Sequence, residues 1–520
     1  MRSSGVSSEP EPVRESWSLA ALAALTMAAL AARHPRYFYH WDEIQLQLAA
    51  RRVDLSWHEP HPPGYHLFVL LERAVALVLP HGTAPGRALS TAAAGVLVCL
   101  AGARVSPRLD PWSRGLFRAA WALFLLGSPV LGTYAVASLT YLPEAAAWVA
   151  AILYVGHPRR GLWAFGAGLA GGLRPTVTLW ALAAALVHDL RAGRISWRRW
   201  RVAAASLGAG VLLWWAPLVA ESGGLRAYLR ATGPVASGLV WSRSVFVLGP
   251  SVVAERLPVM LSELLGGLGL WVLLALWALR ERARRVTRTG DALGAGAVLA
   301  FVFYLATIYD TDGYLASPVA CLGGWALLVA AEGAAARSVA SSRATALAAV
   351  ALALGTLLAP GLLAPRGYEG HARYARHARW MDAHRATLRA YPPGSTVLVV
   401  AREYRHRGLR HYQWHLPEYA AVQLWRDPWM ARLTDRTPYL VTRRGALEAR
   451  GPATMDLATL LEQPLALRWV VLTDAEDARA FVDRSCAAWG QRRGRLLVYA
   501  VPAGGVAQAE AGRLRCDEPR

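Results

Sequence analysis

Residues 39–66 read YHWDEIQLQLAARRVDLSWHEPHPPGYH. An adjacent acid pair, Asp42-Glu43, opens a helical pattern there. Asp54, His58, Glu59 and His61 follow, and the Pro62-Pro63-Gly64 break closes the stretch. Directly before it runs an apolar segment, Trp17 to Ala32. Ionisable groups are costly inside a bilayer, about 2.5–3.5 kcal/mol each on insertion scales. A polar stretch this dense beside such a run therefore reads as a loop outside the lipid.

The rest of the chain extends that contrast. It has 520 residues, 55% of them hydrophobic, and a mean hydropathy of +0.27. A helix needs about 20 apolar residues to cross a membrane, and helices satisfy their own backbone there. Apolar runs recur at 17–33, 86–103, 116–136, 141–156, 162–173, 175–188, 202–220, 258–279, 293–309, 314–332 and 344–363. The expectation is a polytopic α-helical membrane protein of about 11 transmembrane helices. The first run is followed by Arg33-His34-Pro35 rather than a cleavage site, so it reads as a retained span. Residues 1–16 are polar and read as a disordered cytoplasmic tail. The two short runs at 162–173 and 175–188 read as a hairpin broken around Leu173-Arg174-Pro175, since proline lacks a backbone donor.

The formal net charge is +21, carried by arginine without a single lysine. That charge is spread over loops rather than gathered on one face, which argues against nucleic-acid binding. Its distribution orients the chain. Arg-rich connectors at 104–114, 157–161, 188–201, 280–291 and 337–343 occupy every second connection. Placing them inside the cell puts the N-terminus inside and everything after 363 outside, in a plasma or inner membrane. The segment 62–80, with Glu72-Arg73 at its middle, then does not span and reads as a helix at the outer interface. The transmembrane domain is expected over 17–363, with outer loops at 34–85 and 221–257.

Composition changes sharply after residue 363. Strand-like runs at 396–401, 439–442, 468–473 and 496–501, with a helical pattern at 475–484, predict an extracytoplasmic α/β domain over 364–520. Cys486 and Cys516 lie in this domain and either pair as a disulfide or stay apart, because spacing alone does not decide. Cys99 and Cys321 lie inside apolar runs and read as small packed side chains.

Several residues have types suited to chemistry. Of two adjacent carboxylates in a partly dehydrated site, one can act as a general base near neutral pH. Asp42 and Glu43 are such a pair, or else two acids favouring a helix N-terminus. Glu144, at the start of the run 141–156, carries the same two readings. Arg174, at the tip of the broken hairpin, either grips a phosphate through a forked contact or snorkels to lipid headgroups. Arg226, Arg230 and Arg243, in the loop 221–257, suit headgroups or an anionic carrier equally. His58 and His61 are spaced as metal ligands, but the intervening Pro60 prevents a regular helical face, so a plain polar loop is the competing reading. No paired-cysteine or paired-histidine metal motif is present, and a divalent metal stays open as a cofactor. Asp310 and Asp312, before Gly313-Tyr314, read as a further acid pair or a solvated turn, and the Tyr and Trp at span ends as interface anchors.

The ordered set resembles the GT-C superfamily of integral membrane glycosyltransferases, nearest to its aminoarabinose transferase and protein O-mannosyltransferase branch. The elements that carry the likeness are the first span, the Asp-Glu loop, the Pro-Pro-Gly-Tyr helix, the second run GRALSTAAAGVLVCLAG, the acid between the third and fourth runs, and the broken hairpin GLAGGLRPTVTLWALAAAL. It covers 15–220 well and 221–363 loosely. What the resemblance implies is as follows. Asp42 is the catalytic acid, with Glu43 beside it, and Glu144 helps shape the same site. Arg174 stands where the family carries a basic residue, and His61 where it carries a charged residue before its Pro-Pro helix, with Tyr65 adjoining. The donor is a sugar on a polyprenyl phosphate carrier, and the acceptor is a lipid, glycan or protein of the envelope. The competing classes are a transporter or flippase for lipid-linked glycans, which requires charges deep within the spans, and a non-catalytic assembly protein.

Overall fold

The computed structural model describes residues 11–55, 59–80, 84–193, 196–282, 288–360, 362–363, 370–400, 409–423, 439–441, 469–472, 490–493, 496–500, 506–510 and 513–517. The chain divides into two compact units. The first holds residues 1–34, 46–55 and 59–371, and the second holds 35–45, 56–58 and 372–520.

In the first unit each expected apolar run is helical. The helices are α1 (Glu11–Ala31), α2 (Trp41–Arg51, whose residues from 46 on belong here), α3 (His66–Ala76), α4 (Pro85–Gly102), α5 (Pro111–Gly127), α6 (Pro129–Tyr134) and α7 (Tyr141–Leu153). They continue with α8 (Arg160–Ala170), α9 (Pro175–Arg191), α10 (Trp197–Glu221), α11 (Leu225–Val235), α12 (Val245–Leu248) and α13 (Ser251–Leu268). The last four are α14 (Trp271–Arg282), α15 (Arg288–Ala306), α16 (Ala316–Ala335) and α17 (Val339–Leu358). Four helices among the described residues are long and apolar enough to cross a membrane by themselves, or up to 5 with α13 and α14 counted together.

Three expectations change. Helix α1 starts at Glu11, so the last six residues of the expected tail, 11–16, are helical; residues 1–10 lie outside the described residues. The run 116–136 is not one helix: Ser128 ends α5, and its side chain caps α6 by accepting the Leu131 N–H at 3.2 Å. The run 258–279 is likewise broken, by a 97° bend between α13 and α14. The bend falls at Gly269, whose φ of +54° is a left-handed conformation that glycine alone takes without strain.

Helix α16 is the axis of this unit. The span around it is 89% buried, against 22% for α10, which separates an interior helix from a lipid-facing one. Tryptophans staple the helices around it. The indole N–H of Trp121 donates to the Leu97 carbonyl, Trp148 to Gly296, Trp163 to Ala151, Trp214 to Gly168 and Trp271 to Gly323, at 2.9–3.3 Å. Each bond crosses between helices and uses a carbonyl lone pair that the helix ladder leaves over, so the buried donor is satisfied. Helices α8 and α10 approach backbone to backbone: a Cβ on Gly168 would sit 2.2 Å from the Leu207 carbonyl oxygen. One on Gly210 would sit 2.3 Å from that of Phe165. Small residues at such crossings replace the hydrophobic drive that lipid does not supply.

The second unit contains the loop 35–45 with the first turn of α2, then α18 (Ala372–Leu388), α19 (Leu409–His415) and a mixed sheet. The strands are β1 (Thr396–Val400), β2 (Ala420–Gln423), β3 (Tyr439–Val441), β4 (Trp469–Leu472), β5 (Gly490–Arg493) and β6 (Leu496–Ala500), ordered β3-β2-β1-β4-β6-β5. β1 runs parallel to both β2 and β4, and the remaining pairs are antiparallel. A separate hairpin joins β7 (Val506–Glu510) and β8 (Arg513–Asp517). The four expected strands are present; β2, β5, β7 and β8 carry too little alternation to stand out in sequence. Its core joins Tyr37 and Trp41 to Trp380, Met381, Tyr412, Leu398 and Val498. Cys486 and the helical pattern at 475–484 lie outside the described residues.

Candidate active site

Two clusters hold the candidate residues, one in each unit. In the first unit, α8 ends at Ala170 and the chain turns through Gly171-Gly172-Leu173. Arg174 follows in extended conformation, φ −161°. The next residue, Pro175, disfavours a helical conformation at Arg174 and starts α9 without needing a donor. Arg174 is 7% exposed. Its Nη1 lies 3.5 Å from Oε2 of Glu144, in the first turn of α7. The other oxygen, Oε1, accepts from Tyr304 O–H at 2.7 Å and from the hydroxyl of Thr176. Two hydroxyl donors and a guanidinium thus occupy both oxygens of Glu144.

The guanidinium sits in a tyrosine cage. Its carbon is 4.4 Å from the ring centre of Tyr141, 4.9 Å from Tyr314 and 5.8 Å from Tyr65. Each face is a cation–π contact, strengthened where water is excluded. Among the described residues the remaining N–H groups of Arg174 meet no hydrogen-bond acceptor. Tyr65 holds its place in a left-handed conformation, φ 39°, the one non-glycine residue with positive φ among those described. Such strain persists where the surroundings impose it. The tyrosine wall continues: Tyr134 packs on Tyr141 at 5.0 Å, and Tyr304 on Tyr314 at 4.6 Å. Tyr134 donates to Asp312 at 2.6 Å, and Asp312 is 6% exposed, so it is not part of a solvated turn.

The arginines of the loop 221–257 separate. Arg243 pairs with Asp310 at 2.8 Å, and its carbonyl accepts from Arg256 at 2.5 Å. Arg226 and Arg230 lie exposed on α11, one turn apart and alternating with the exposed Leu225 and Leu229. His61 is half-buried, with Nδ1 against the carbonyl of Pro62. His58 lies outside the described residues. Among the described residues no three His, Cys, Asp or Glu side chains are grouped as a metal site.

In the second unit the acid pair divides into two roles. Glu43 is fully buried, and its Oε2 accepts from the backbone N–H groups of Tyr39 and His40, both at 2.9 Å. This is the back-reaching half of a capping box. Asp42 is half-buried and has no hydrogen bond or ion pair among the described residues. The loop before it is clamped: His411 Nε2 donates to the Tyr39 carbonyl at 2.9 Å, and Tyr37 O–H to Asp382 at 2.7 Å. Arg410 lies over the Trp41 ring at 5.7 Å and Arg373 over that of Tyr39 at 5.7 Å.

Sequence reasoning singled out Tyr65, Glu144 and Arg174, and the structure brings them together. It missed Tyr141, Tyr304, Tyr314 and Thr176. The available signal was a surplus of tyrosines at the ends of several helices, which interface anchoring absorbed.

The fold, a polytopic helical membrane unit followed by a C-terminal mixed α/β unit, is one that solved structures share. The crystal structure of ArnT from Cupriavidus metallidurans bound to undecaprenyl phosphate is similar to this chain with a TM-score of 0.59 and 14% identity. The match covers 92% of this chain and 97% of that one. The apo state of the same protein is similar with a TM-score of 0.56, at the same identity and coverage. No family model and no curated protein matches the sequence.

Proposed function

We propose that this chain is a membrane glycosyltransferase that moves a sugar from a polyprenyl phosphate carrier to a hydroxyl- or amine-bearing molecule on the outer face of the cell membrane. The observation that carries the reading is Arg174: a buried guanidinium with one arm on Glu144, three tyrosine rings around it, and further N–H groups open to an anion. A forked, weakly hydrated cation in a dry setting suits a phosphate leaving group. That the ArnT structure of similar fold is bound to undecaprenyl phosphate supports a carrier of this class.

Asp42 is the general base. It takes the proton from the acceptor hydroxyl as that oxygen attacks the anomeric carbon. The bond from this carbon to the carrier's phosphate oxygen breaks, the oxygen keeps the electron pair, and configuration inverts. Arg174 meets the phosphate charge that develops. Glu43 holds the loop that presents Asp42, and Glu144 holds Arg174. Tyr65 closes the cage, and His61 borders the donor's path. Arg226 and Arg230 meet anionic lipid or carrier; Arg243 does the same while paired with Asp310.

Membranes carrying the full chain, supplied with a panel of polyprenyl-phosphate sugars, with and without chelator, test the reading. Asp42→Asn is expected to lower transfer by about 10²–10⁴-fold, the range of a lost general base, with insertion and thermal stability unchanged. Undiminished transfer by this variant would overturn the role of Asp42. Absence of transfer from every polyprenyl-phosphate sugar by the wild type would overturn the activity, and glycolipid flipping without transfer would favour a transporter.

A further inference from the structure

The two rings nearest the Arg174 guanidinium, Tyr141 and Tyr314, meet edge to face at 5.4 Å. Tyr314 belongs to a short 3₁₀ turn, Asp312–Leu315, that leads straight into α16. The span from Asp312 to Ala335 is 89% buried, so the turn is seated on the most enclosed of the candidate spans. Gly313 lies against the tyrosines: a Cβ there would sit 2.6 Å from two carbons of the Tyr141 ring and 2.8 Å from Cζ of Tyr134. Its φ is not positive, so the position excludes a side chain and not a backbone conformation. Tyr134 and Tyr141 are both buried, and a close-packed interior gives neither ring room to move aside. Asp312 fixes Tyr134: its Oδ1 accepts from Tyr134 O–H at 2.6 Å and from the Thr311 hydroxyl at 3.1 Å. Tyr134 in turn meets Tyr141 edge to face at 5.0 Å. Tyr141 and Glu144 stand three residues apart in the first turn of α7, on one helix face, so ring and carboxylate reach Arg174 together.

We propose that Asp312 and Gly313 are positioning residues of the phosphate site, a role that rests on Arg174 being the ligand of the carrier's phosphate. Asp312 acts through Tyr134, and Gly313 through the side chain it lacks. Together they hold the Tyr141 ring 4.4 Å from the guanidinium carbon and so set the direction of the N–H groups that Glu144 leaves over. A guanidinium makes its forked contact only when its plane is aligned with the phosphate oxygens. A ring packed on it restricts that plane and adds a cation–π contact. A methyl group at 313 would displace the Tyr141 ring, and the guanidinium would follow it or lose that face. Loss of the Tyr134 hydroxyl would slacken the same ring. A purely architectural tie between α6 and the turn would leave phosphate affinity unchanged.

The test is equilibrium binding of radiolabelled undecaprenyl phosphate to the full chain in lipid nanodiscs, read well below the melting temperature of every variant. Gly313→Ala and Tyr134→Phe are each expected to weaken binding by roughly threefold or more, the scale of a hydrogen bond loosened. Asp312→Leu should match Tyr134→Phe, and Asp312→Asn, whose amide oxygen still accepts, should restore most of the affinity. Gly323→Ala is the control. It lies on α16 roughly three turns further along, and its Cβ would sit 2.6 Å from the Phe124 ring, a comparable crowding away from the cage. It should lower the melting temperature and leave binding at the wild-type level. Wild-type affinity in Gly313→Ala and Tyr134→Phe, an equal loss in Gly323→Ala, or no difference between Asp312→Asn and Asp312→Leu would each overturn the inference while the carrier reading stood. No saturable binding by the wild type, or binding that Arg174→Met leaves intact, would overturn the reading of Arg174 and the inference with it.

Discussion

Asp42 and Glu43 are neighbours with the same functional group, and their surroundings alone tell them apart. Glu43 uses one oxygen to accept two backbone donors, so its loss should act on stability. Glu43→Ala is expected to lower the unfolding free energy by about 1–2 kcal/mol, the usual cost of a lost cap, readable as a lower melting temperature in detergent. The Glu144–Arg174 pair is a stronger case. Removing one partner leaves a buried charge, which costs roughly 3–5 kcal/mol. Arg174→Met should therefore destabilise far more than the double change Glu144→Gln with Arg174→Met. A double-mutant cycle of thermal stability measures the difference, and additive effects would sink the pairing. Glu72, on α3 outside the spans, is a third kind of acid. It is fully buried, and its Oε1 accepts from Ser138 at 3.2 Å and from Gln47, while Oε2 has no partner among the described residues. Burial pushes its carboxyl up to about 8. The folded state therefore holds a proton that the unfolded state releases near 4.5. Stability from this group is full below about pH 4.5, falls as pH rises through 8, and is flat beyond. The fall amounts to roughly 3–5 kcal/mol. Stability profiles between pH 5 and 9 should show it, and Glu72→Gln should remove it.

At the scale of elements, breaks matter as much as helices. The turn between α8 and α9 exists because Pro175 cannot accept a helical neighbour before it, and that turn delivers Arg174. Its neighbouring contact, α8 against α10, depends on two glycines. Gly210→Leu is expected to force these backbones apart at a cost of at least about 1–3 kcal/mol, the price of overpacking. A melting temperature equal to wild type would show that the crossing is looser than its geometry. Periodicity and length made each helical run legible, and the Pro and Gly at 171–175 marked one break. The breaks at Ser128 and Gly269 were not legible. A single serine or glycine inside an apolar run is compatible with a continuous helix, and the cap at Ser128 shows itself only as geometry.

At the scale of the whole molecule, the alternation of Arg-rich and Arg-poor connectors carries a testable expectation for the chain's orientation. Reporter fusions or cysteine labelling should find residues 104–114 and 280–291 inside and the end of the chain outside. The opposite labelling would reverse the proposed side of the chemistry. The two compact units divide the chain out of sequence order, because the loop 35–45 folds with residues after 371. Composition places a boundary near 364 and gives no sign of this exchange. It arises because Tyr37 and Trp41 bury their rings in the core built by α18, α19 and the sheet.

The sequence by itself determined that this protein is a polytopic membrane helix bundle followed by an α/β region, because hydrophobic length and strand alternation are local properties of the chain. It also singled out Glu144 and Arg174 as candidates for chemistry, because ionisable residues within or at the ends of apolar runs are costly and stand out. Only the tertiary structure decided that Glu43 caps a helix while Asp42 has no partner among the described residues, that Glu144 holds Arg174, and that tyrosines from three separate segments line the same cage. Those roles depend on which distant groups meet a side chain, and no local pattern encodes such meetings.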